Sequence, residues 1–451
     1  MMCILLDLGY LLLLILSSPF WLYRMIARGR YRSGWKHRLG FVTVRHSGQP
    51  CIWIHAVSVG EVNAMAALIK ELQKVLPQVE IVISATTDTG IAQAKKLYEK
   101  KHRVFVFPFD FSLAQKLAFQ RIRPRLCILM ELEVWHNFTA LAQKRNIPVI
   151  VANGRISAAK GFPRYRKIAS LVKPMFRRLA LVLAQDDEYA QRFRFLGVPD
   201  ERLRVVGSLK YDTAPTDPDA VPFDDSIEKL KFRETDLIWV VGSTGPGEEA
   251  IILDSFDRLR KIKRLKNLRL VIVPRKPERF NEVARLIESR GHPLLRYSCV
   301  KSGRHIPTPD DTKAVILGDT MGDLQKFYKV ATVIFVGRSL VPMGGSDMME
   351  AAALAKPVVV GPYTENFMET VKALVAGRGI EIVADPTQLT DCIEKLLTNK
   401  REARELARNA RRVILENQGA TRRSVEAILP ILGCQLPHSP HAVATPSIKA
   451  L

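Results

Sequence analysis

From Cys51 onward, short β-rich runs alternate with helix-length amphipathic segments, and this alternation constrains the fold more than any other feature. Strands separated by helices are typical of parallel, doubly wound sheets. The sequence therefore predicts an α/β fold. The predicted strands form two series: 52–55, 81–85, 104–107, 126–130, 149–152, 181–184 and 203–206, then 238–241, 270–273, 315–317, 333–336, 358–360 and 380–383.

A stretch rich in Pro and Asp separates the two series. Residues 211–222 (YDTAPTDPDAVP) interrupt the rhythm of strands and helices, which predicts a linker. We expect Rossmann-like domains at 24–210 and 223–432, with a ligand cleft between them, because open α/β sheets bind ligands beyond the carboxyl ends of their strands. Residues 433–451 contain three prolines and no periodic apolar face, which predicts a disordered tail.

The N-terminal segment predicts a membrane anchor. Residues 1–23 are almost wholly apolar apart from Asp7, Ser17 and Ser18, and a helix of about 20 apolar residues can span a bilayer. The basic residues follow this segment, which argues against a cleaved signal peptide and predicts that the body lies on the cytoplasmic side. The alternative is an interfacial helix that does not cross, which Asp7 and Pro19 favour.

The net charge of +23 predicts an anionic partner. Three stretches without acidic residues, 24–45, 155–178 and 258–266, carry much of this charge. The first two interleave cations with aromatic residues, which is typical of a surface that lies on anionic headgroups. Because no recognition-helix, RNP or zinc-finger pattern is found, nucleic acid is not expected as a partner.

Two acidic motifs of the first half follow predicted strands. In IWIHAVSVGE, Glu61 lies at a strand-to-helix turn, where it either accepts a proton from a bound hydroxyl or simply caps the helix. The helix dipole is expected to lower its pKa. In MELEVWHN, Glu131 and Glu133 precede Trp135, and their alternatives are a functional role or a salt bridge to arginine.

The second half contains motifs that suit a nucleotide. GSTGPGEE (242–249) predicts backbone N–H groups arranged around a phosphate, and Arg275 follows a strand, where it can bind a phosphate. GDTMGDL places Asp319 and Asp323 around Gly322. In GGSDMMEA, Glu350 lies near the start of a helix, where a carboxylate suits two ribose hydroxyls.

These motifs together resemble a known family. The segment GSDMMEAAALAKPVVVGP, followed by ENF, is similar to the nucleotide-sugar segment of the two-domain GT-B glycosyltransferases. With HAVSVGE, ISATTDTG, MELEVWHN, NGRIS, GSLKYD, VPRKPERF and GDTMGDL in order, the chain resembles the bacterial transferases of 3-deoxy-D-manno-octulosonic acid (Kdo). The resemblance runs from the anchor to about Gln418. It implies inverting transfer of one or more Kdo residues from CMP-Kdo to a lipid A precursor at the bacterial inner membrane.

The resemblance also implies the role of each motif residue. Glu61 matches the proton acceptor, and Glu131 and Lys210 match positions that stabilise the transition state. The implied CMP contacts are Pro274, Arg275, Met321, Gly322, Asp323, Asp347, Met348, Met349 and Glu350. The chain departs from the family where it has Asp323 for a common Glu, and SDMME for a common HNPLE.

No metal or other cofactor is expected. Helix N-termini, Arg275 and Lys210 can stabilise the charge of the departing phosphate, and the DxD pattern of Asp217–Asp219 lies in the predicted linker. The six cysteines are too far apart to predict a zinc site.

Two alternative functions remain at the level of sequence. A different membrane-associated GT-B glycosyltransferase with a UDP-sugar donor would bind UDP rather than CMP. A basic membrane or nucleic-acid adaptor would transfer nothing, and its affinity for nucleic acid would fall steeply with salt.

Overall fold

The computed structural model describes residues 2–28, 34–158, 161–217 and 225–433, which form two compact units. The first unit consists of the described residues of Met1–Thr213 and Gln418–Leu451, and the second consists of those of Ala214–Asn417. The predicted second domain, 223–432, therefore ends too late, because the chain returns to the first unit at Gln418. The predicted tail lies outside the described residues except for Gly433, as do residues 218–222 of the predicted linker.

Seven parallel strands form the sheet of the first unit, and each predicted strand of the first series is present. They are β1 (Cys51–Ala56), β2 (Glu80–Ala85), β3 (Arg103–Val106), β4 (Leu126–Met130), β5 (Val149–Gly154), β6 (Leu181–Ala184) and β7 (Leu203–Val205). Their order in the sheet is β3-β2-β1-β4-β5-β6-β7. The order reverses between β1 and β4, which makes the carboxyl ends of these two strands the expected ligand position.

Ten α-helices precede the last strand of this sheet along the described chain. They are α1 (Met2–Leu16), α2 (Ser18–Arg28), α3 (Trp35–Arg38), α4 (Val59–Val75), α5 (Asp88–Tyr98), α6 (Ser112–Ile122), α7 (His136–Lys144), α8 (Gly161–Lys167), α9 (Ala169–Arg177) and α10 (Asp187–Phe195). Both faces of the sheet are covered: Ile54 of β1 packs in a cluster with Leu68 of α4, whereas Trp53 contacts Phe119 of α6 and Phe138 of α7. Burial on both faces explains why the strands are continuous apolar runs.

The second unit repeats this architecture with a second parallel sheet of seven strands. Its strands are β8 (Leu237–Thr244), β9 (Leu268–Pro274), β10 (Leu294–Arg296), β11 (Val315–Leu317), β12 (Val333–Val336), β13 (Val358–Val360) and β14 (Glu381–Ile382), in the order β10-β11-β9-β8-β12-β13-β14. Its helices are α11 (Asp225–Glu228), α12 (Glu248–Arg260), α13 (Phe280–Ser289), α14 (Tyr297–Lys301), α15 (Leu324–Val330), α16 (Met349–Ala353), α17 (Met368–Ala376), α18 (Pro386–Thr398) and α19 (Lys400–Asn417). Strand β10, at the sheet edge, was not predicted.

The last helix, α20 (Ala420–Ile428), packs on the first unit. Val425 and Ile428 lie in the same buried cluster as Leu68 and Leu72 of α4. The Asp212 carboxylate accepts hydrogen bonds from the backbone N–H groups at the start of α20, with 2.6 Å to the nitrogen of Gly419. The first residues of the predicted linker therefore fix the returning helix and belong to the first unit.

The N-terminal segment differs from the single helix predicted over residues 1–23. It forms α1 and α2, with a bend of 53° between them. The Ser17 hydroxyl at the break donates a hydrogen bond to the Leu13 carbonyl, and Pro19 follows. Within the described residues, neither helix alone has the length and apolar character needed to cross a bilayer, while the bent pair meets these two criteria together.

Candidate functional site

Glu61 lies in the first turn of α4, immediately after β1. Ser58 caps the helix, and the Glu61 carboxylate accepts hydrogen bonds from the Val57 backbone N–H (2.8 Å) and the Ser58 hydroxyl (2.9 Å). The Ser58 hydroxyl in turn accepts a hydrogen bond from the Glu61 N–H at 3.4 Å, so Glu61 takes part in capping the helix start, as the capping alternative predicted. A carboxylate has about four lone-pair sites, so these bonds do not use the full acceptor capacity of Glu61. Capping therefore orients Glu61 without excluding a role as a base.

Glu131 and Glu133 follow β4, the neighbour of β1 in the sheet. Glu131 has a left-handed backbone (φ 55°), and its N–H donates to the Ala152 carbonyl of β5. Its carboxylate lies 3.4 Å from Arg155 Nε, so the salt-bridge alternative is confirmed for this residue. Glu133 instead accepts a hydrogen bond from the Trp135 indole at 3.2 Å. Glu61, Glu131 and Glu133 are called the carboxylate cluster below.

The carboxylate cluster is electrostatically unusual because its members repel one another in a mostly buried place. Burial raises the pKa of Glu61, with a smaller contribution from the charge of Glu131. Burial, followed by the charge of Glu61, raises the pKa of Glu133 to about 7. The expectation that the helix dipole lowers the pKa of Glu61 is therefore wrong, since the loss of hydration outweighs it. A carboxyl with a pKa of about 7, such as that of Glu133, can hold or release a proton near neutral pH. The raised pKa of Glu61 makes its carboxylate a stronger proton acceptor than an ordinary glutamate.

Lys210 follows β7, so it lies at the carboxyl ends of the strands of the first sheet, as the carboxylate cluster does. Asn153, at the end of β5, has a left-handed backbone (φ 55°) and accepts a hydrogen bond from the Leu209 backbone N–H at 3.0 Å. In the described part of the chain, no ion pair or hydrogen bond engages the Lys210 ammonium group, which is partly exposed. The Asn153 bond fixes the segment that carries this cation. This role of Asn153, in the NGRIS motif, was not predicted.

In the second unit, Arg275, Asp347 and Glu350 interact around the buried side chain of Tyr328. Arg275 follows β9, is exposed, and donates its backbone N–H to the Thr244 carbonyl of β8 at 3.0 Å. Burial raises the pKa of Glu350, opposed by a hydrogen bond from Gln325, while the charges of Asp347 and Arg275 act in opposite directions. Burial also raises the pKa of Tyr328, helped by Glu350. These residues are called the Arg275 cluster below.

The other predicted CMP-contacting residues differ in accessibility. Pro274, Met348 and Met349 are buried, whereas Met321 is exposed beside Gly322, which has a left-handed backbone (φ 90°). The Asp323 carboxylate is paired with Lys301 and Lys326, at 2.7 Å each, and accepts the Thr320 hydroxyl. The side chain of Asp323 is therefore already paired within the protein, and its ion pairs lower its pKa. The structure brings Arg275, Asp347 and Glu350 together; it does not extend this electrostatic cluster to Asp323.

The glycine-rich loop 242–249 does not form the predicted phosphate-binding site. The Glu248 carboxylate accepts the backbone N–H groups of Gly245 (2.8 Å), Ser339 (2.8 Å) and Leu340 (3.0 Å). A side chain of the protein thus occupies the place expected for a phosphate. Gly242 is required for another reason, because a Cβ there would lie 2.2 Å from the Tyr328 hydroxyl.

Metal ligands do not cluster in the described ranges. Among residues 2–28, 34–158, 161–217 and 225–433, no group of three His, Cys, Asp or Glu side chains is arranged to hold a metal ion. Metal-independent chemistry stays a prediction.

Comparisons with known proteins agree with the motifs. Residues 33–213 match a family model described as 3-deoxy-D-manno-octulosonic-acid transferase (kdotransferase), and residues 311–413 match glycosyl transferases group 1. A relative from Haemophilus influenzae, named 3-deoxy-D-manno-octulosonic acid transferase, is 35% identical over 89% of this chain and 92% of its own. A Bordetella pertussis relative of the same name is 30% identical over 85% of this chain and 87% of its own.

Solved structures support the fold. The crystal structure of Acinetobacter baumannii MurG covers 84% of this chain and 99% of its own at 14% identity, with a TM-score of 0.52. The two parallel-sheet α/β units are consistent with the GT-B glycosyltransferase fold. With a relative of 35% identity that aligns over most of both chains, the protein belongs to the family of 3-deoxy-D-manno-octulosonic acid transferases, which are glycosyltransferases.

Proposed function

We propose that this protein transfers Kdo from CMP-Kdo to a hydroxyl group of a lipid A precursor, with inversion at the anomeric carbon. The observation that carries the proposal is the buried carboxyl of Glu61, held at the switch point of the first sheet beside Glu131 and Glu133. Family membership supports the choice of the transferred sugar, since the relatives are named for Kdo transfer.

Glu61 acts as the general base in this proposal. Its hydrogen bonds to the Val57 N–H and the Ser58 hydroxyl hold the carboxylate in one orientation, so that a remaining lone pair can accept the proton of the acceptor hydroxyl. Glu131 and Lys210 stabilise the charge that develops during transfer. The salt bridge to Arg155 fixes Glu131, and the hydrogen bond between Asn153 and the Leu209 N–H positions the segment of Lys210. The attacking oxygen becomes bonded to the ketose carbon as CMP departs with the bonding electrons.

The second unit binds the donor. Arg275 presents an exposed guanidinium that suits the CMP phosphate, and Glu350 is placed for ribose hydroxyls. We assign no side-chain contact to Met348 or Met349, because both are buried. Transfer proceeds without a metal or cofactor in this proposal, since Arg275 and Lys210 supply the cations. The proposal requires both units for turnover, because the first carries the base and the second binds the donor.

We also propose that α1 and α2 attach the protein to the anionic inner membrane, with the body on the cytoplasmic side. Their exposed apolar side chains, among them Leu12, Leu16 and Phe20, and the basic residues of 24–45 and 155–178 support this location. Removal of residues 1–28 is expected to leave a protein that binds CMP but sediments poorly with vesicles of anionic phospholipid. Unchanged sedimentation would assign membrane binding to the remaining surface alone.

The base is tested with Glu61→Gln, which keeps the size of the side chain and removes its proton affinity. Wild type and variant are incubated with CMP-Kdo and lipid A precursor, and the products are measured by mass spectrometry. Loss of a general base typically costs a factor of about 10² to 10⁴, while CMP binding measured by calorimetry is expected to survive. Glu71→Gln is the matched control, because Glu71 lies on the same helix outside the carboxylate cluster.

Two outcomes would contradict the proposal. Wild-type turnover by Glu61→Gln would remove Glu61 from the mechanism. Protection of the wild-type protein from thermal unfolding by UDP, and not by CMP, would point to a different sugar donor.

A further inference from the structure

We propose that a pocket in the first unit binds an acyl chain of the lipid acceptor, and that helix α1 forms one wall of this pocket. The inference rests on the proposed function and deepens it, since it assigns a place to the lipid part of the acceptor. The pocket has a volume of about 580 Å³ and lies between α1, α9 and the segment that follows β4.

The walls of the pocket are mostly apolar. Helix α1 contributes Leu6 and Tyr10 to the lining, and α9 contributes Leu171 and Met175. The segment after β4 adds Val134 and Trp135. Leu171 and Trp135 are exposed, at 66% and 39%, so the protein leaves apolar surface here uncovered. The volume lies within the range of about 300 to 1,000 Å³ that is usual for small-molecule sites. An apolar chain recovers this surface, whereas a sugar or nucleotide would lose its hydration against walls that are mostly apolar.

The charge around the pocket suits a lipid with anionic groups. Arg178 lines the pocket and is held by hydrogen bonds to the His136 carbonyl and the Thr139 hydroxyl, at 3.3 and 3.4 Å. The neighbouring helices α8 and α9 add Arg164, Arg166 and others, with no acidic residue between 155 and 178. An acyl chain that ends at an anionic headgroup thus matches both the apolar wall and the basic rim.

The pocket reaches one member of the carboxylate cluster, Glu133. Glu133 lines it, and the charge of Glu61 is among the causes of the raised pKa of Glu133. Tyr165 also lines the pocket and senses the charge of Glu133. An acyl chain in the pocket therefore leaves its headgroup next to the proposed base, which reduces the freedom that the acceptor hydroxyl must lose before reaction.

Helix α1 is fixed to the body of the first unit by polar contacts that are unexpected in an apolar helix. The Asp7 carboxylate accepts the Ser112 backbone N–H at 3.0 Å and the Asn137 amide at 2.9 Å, and also the Ser112 hydroxyl. Tyr10 packs edge-to-face on Phe111 with ring centroids 6.0 Å apart. These hydrogen bonds explain why an apolar helix contains Asp7. They hold α1 where Leu6 and Tyr10 line the pocket.

Two substitutions test the pocket without disturbing the core. Leu171→Ser removes an apolar wall from an exposed position, and Ser170→Trp fills the pocket from another exposed position. Leu97→Ser is the control, since Leu97 is 45% exposed in the same unit and does not line the pocket. Each full-length variant is assayed in detergent micelles with the lipid A precursor and with the same acceptor after removal of its acyl chains.

Both pocket variants are expected to raise KM for the acylated acceptor about tenfold, the change that corresponds to 1.4 kcal/mol. KM for the deacylated acceptor should change less than twofold, as should the affinity for CMP, which also reports correct folding. Asp7→Ala is expected to reproduce the selective rise in KM, because it releases α1. The control variant should resemble wild type with both acceptors.

The proposal is overturned if the pocket variants change KM for both acceptors equally, or for neither. Such a result, obtained with an active wild-type protein, leaves the proposed function standing and rejects only the pocket. Absence of transfer by the wild-type protein to either acceptor would instead overturn the proposed function and, with it, this assignment.

Discussion

Replacement of Glu133 by Gln is expected to stabilise the first unit at alkaline pH. In the folded protein, burial and the charge of Glu61 raise the pKa of Glu133 from 4.5 to about 7. An acid whose pKa is higher in the folded state binds its proton more tightly there, so ionisation favours unfolding. Its cost is absent below pH 4.5, grows between pH 4.5 and about 7, and is complete above that pH.

The magnitude follows from the distance between the two pKa values. At 1.36 kcal/mol per pH unit, the interval from 4.5 to about 7 corresponds to about 3 kcal/mol. Glutamine is neutral throughout this range, and its amide oxygen can still accept the Trp135 indole N–H. The free energy of unfolding of the variant, relative to wild type, is therefore expected to rise by up to about 3 kcal/mol between pH 4.5 and 8.

Urea unfolding followed by tryptophan fluorescence is the appropriate assay. Four of the five tryptophans, at positions 21, 35, 53 and 135, belong to the first unit, and only Trp239 belongs to the second. The signal therefore reports mainly on the unit that contains Glu133, which matters because a chain of two units need not unfold in one transition. The measurement is repeated at several pH values from 4.5 to 8.

Glu71→Gln is the control, because Glu71 lies on the solvent side of α4 and its carboxylate is 3.9 Å from Lys74. A surface substitution of this kind is expected to change stability by less than about 0.5 kcal/mol at any pH. If the difference in free energy of unfolding between Glu133→Gln and wild type does not vary with pH, the pKa of Glu133 is not raised in the folded protein and the reasoning is refuted.

Three further results are expected. Arg275→Ala should weaken CMP binding at least about tenfold in calorimetry, since hydrogen bonds to charged groups contribute about 1.5 to 3 kcal/mol; Lys276→Ala serves as the control, and equal effects would reject the phosphate role. Burial raises the pKa of the Cys51 thiol to about 12, so iodoacetamide at pH 8 should leave Cys51 unmodified by mass spectrometry until the protein is unfolded; modification of the native protein would contradict this burial. Gly40→Ala should cost about 1 to 3 kcal/mol in urea unfolding, because φ is +88° and the new Cβ would lie 2.2 Å from the Ala114 carbonyl, whereas Gly48→Ala, with open space around it, should be nearly neutral.

The strands were predictable because burial on both faces leaves a local signal. Runs such as Leu126–Met130 are wholly apolar, and their spacing by helices indicated parallel sheets. Strand β10 (LLR) was missed because it offers only two consecutive apolar residues, Leu294 and Leu295. The bend between α1 and α2 was also missed. The return of α20 to the first unit was missed because an amphipathic helix does not specify which sheet it covers.

The candidate site was predictable where a motif sets local geometry. The strand-to-helix turn before Glu61 is where the sequence predicted it, including the capping bonds. The raised pKa values of Glu61 and Glu133 were not predictable, because they depend on the packing of two strands that are distant in sequence. In the same way, nothing near Glu248 indicates that N–H groups about 90 residues later point at its carboxylate.

The return of α20 to the first unit has a consequence for synthesis of the chain. When a ribosome has completed Thr213, the part of the buried cluster that Val425 and Ile428 cover is still open, and about 200 residues of the second unit must be made before α20 emerges. At about 5 to 20 residues per second, that delay lasts on the order of ten to forty seconds. Nascent chains are thus exposed to aggregation for this interval, and a premature stop before Gln418 would make the exposure permanent.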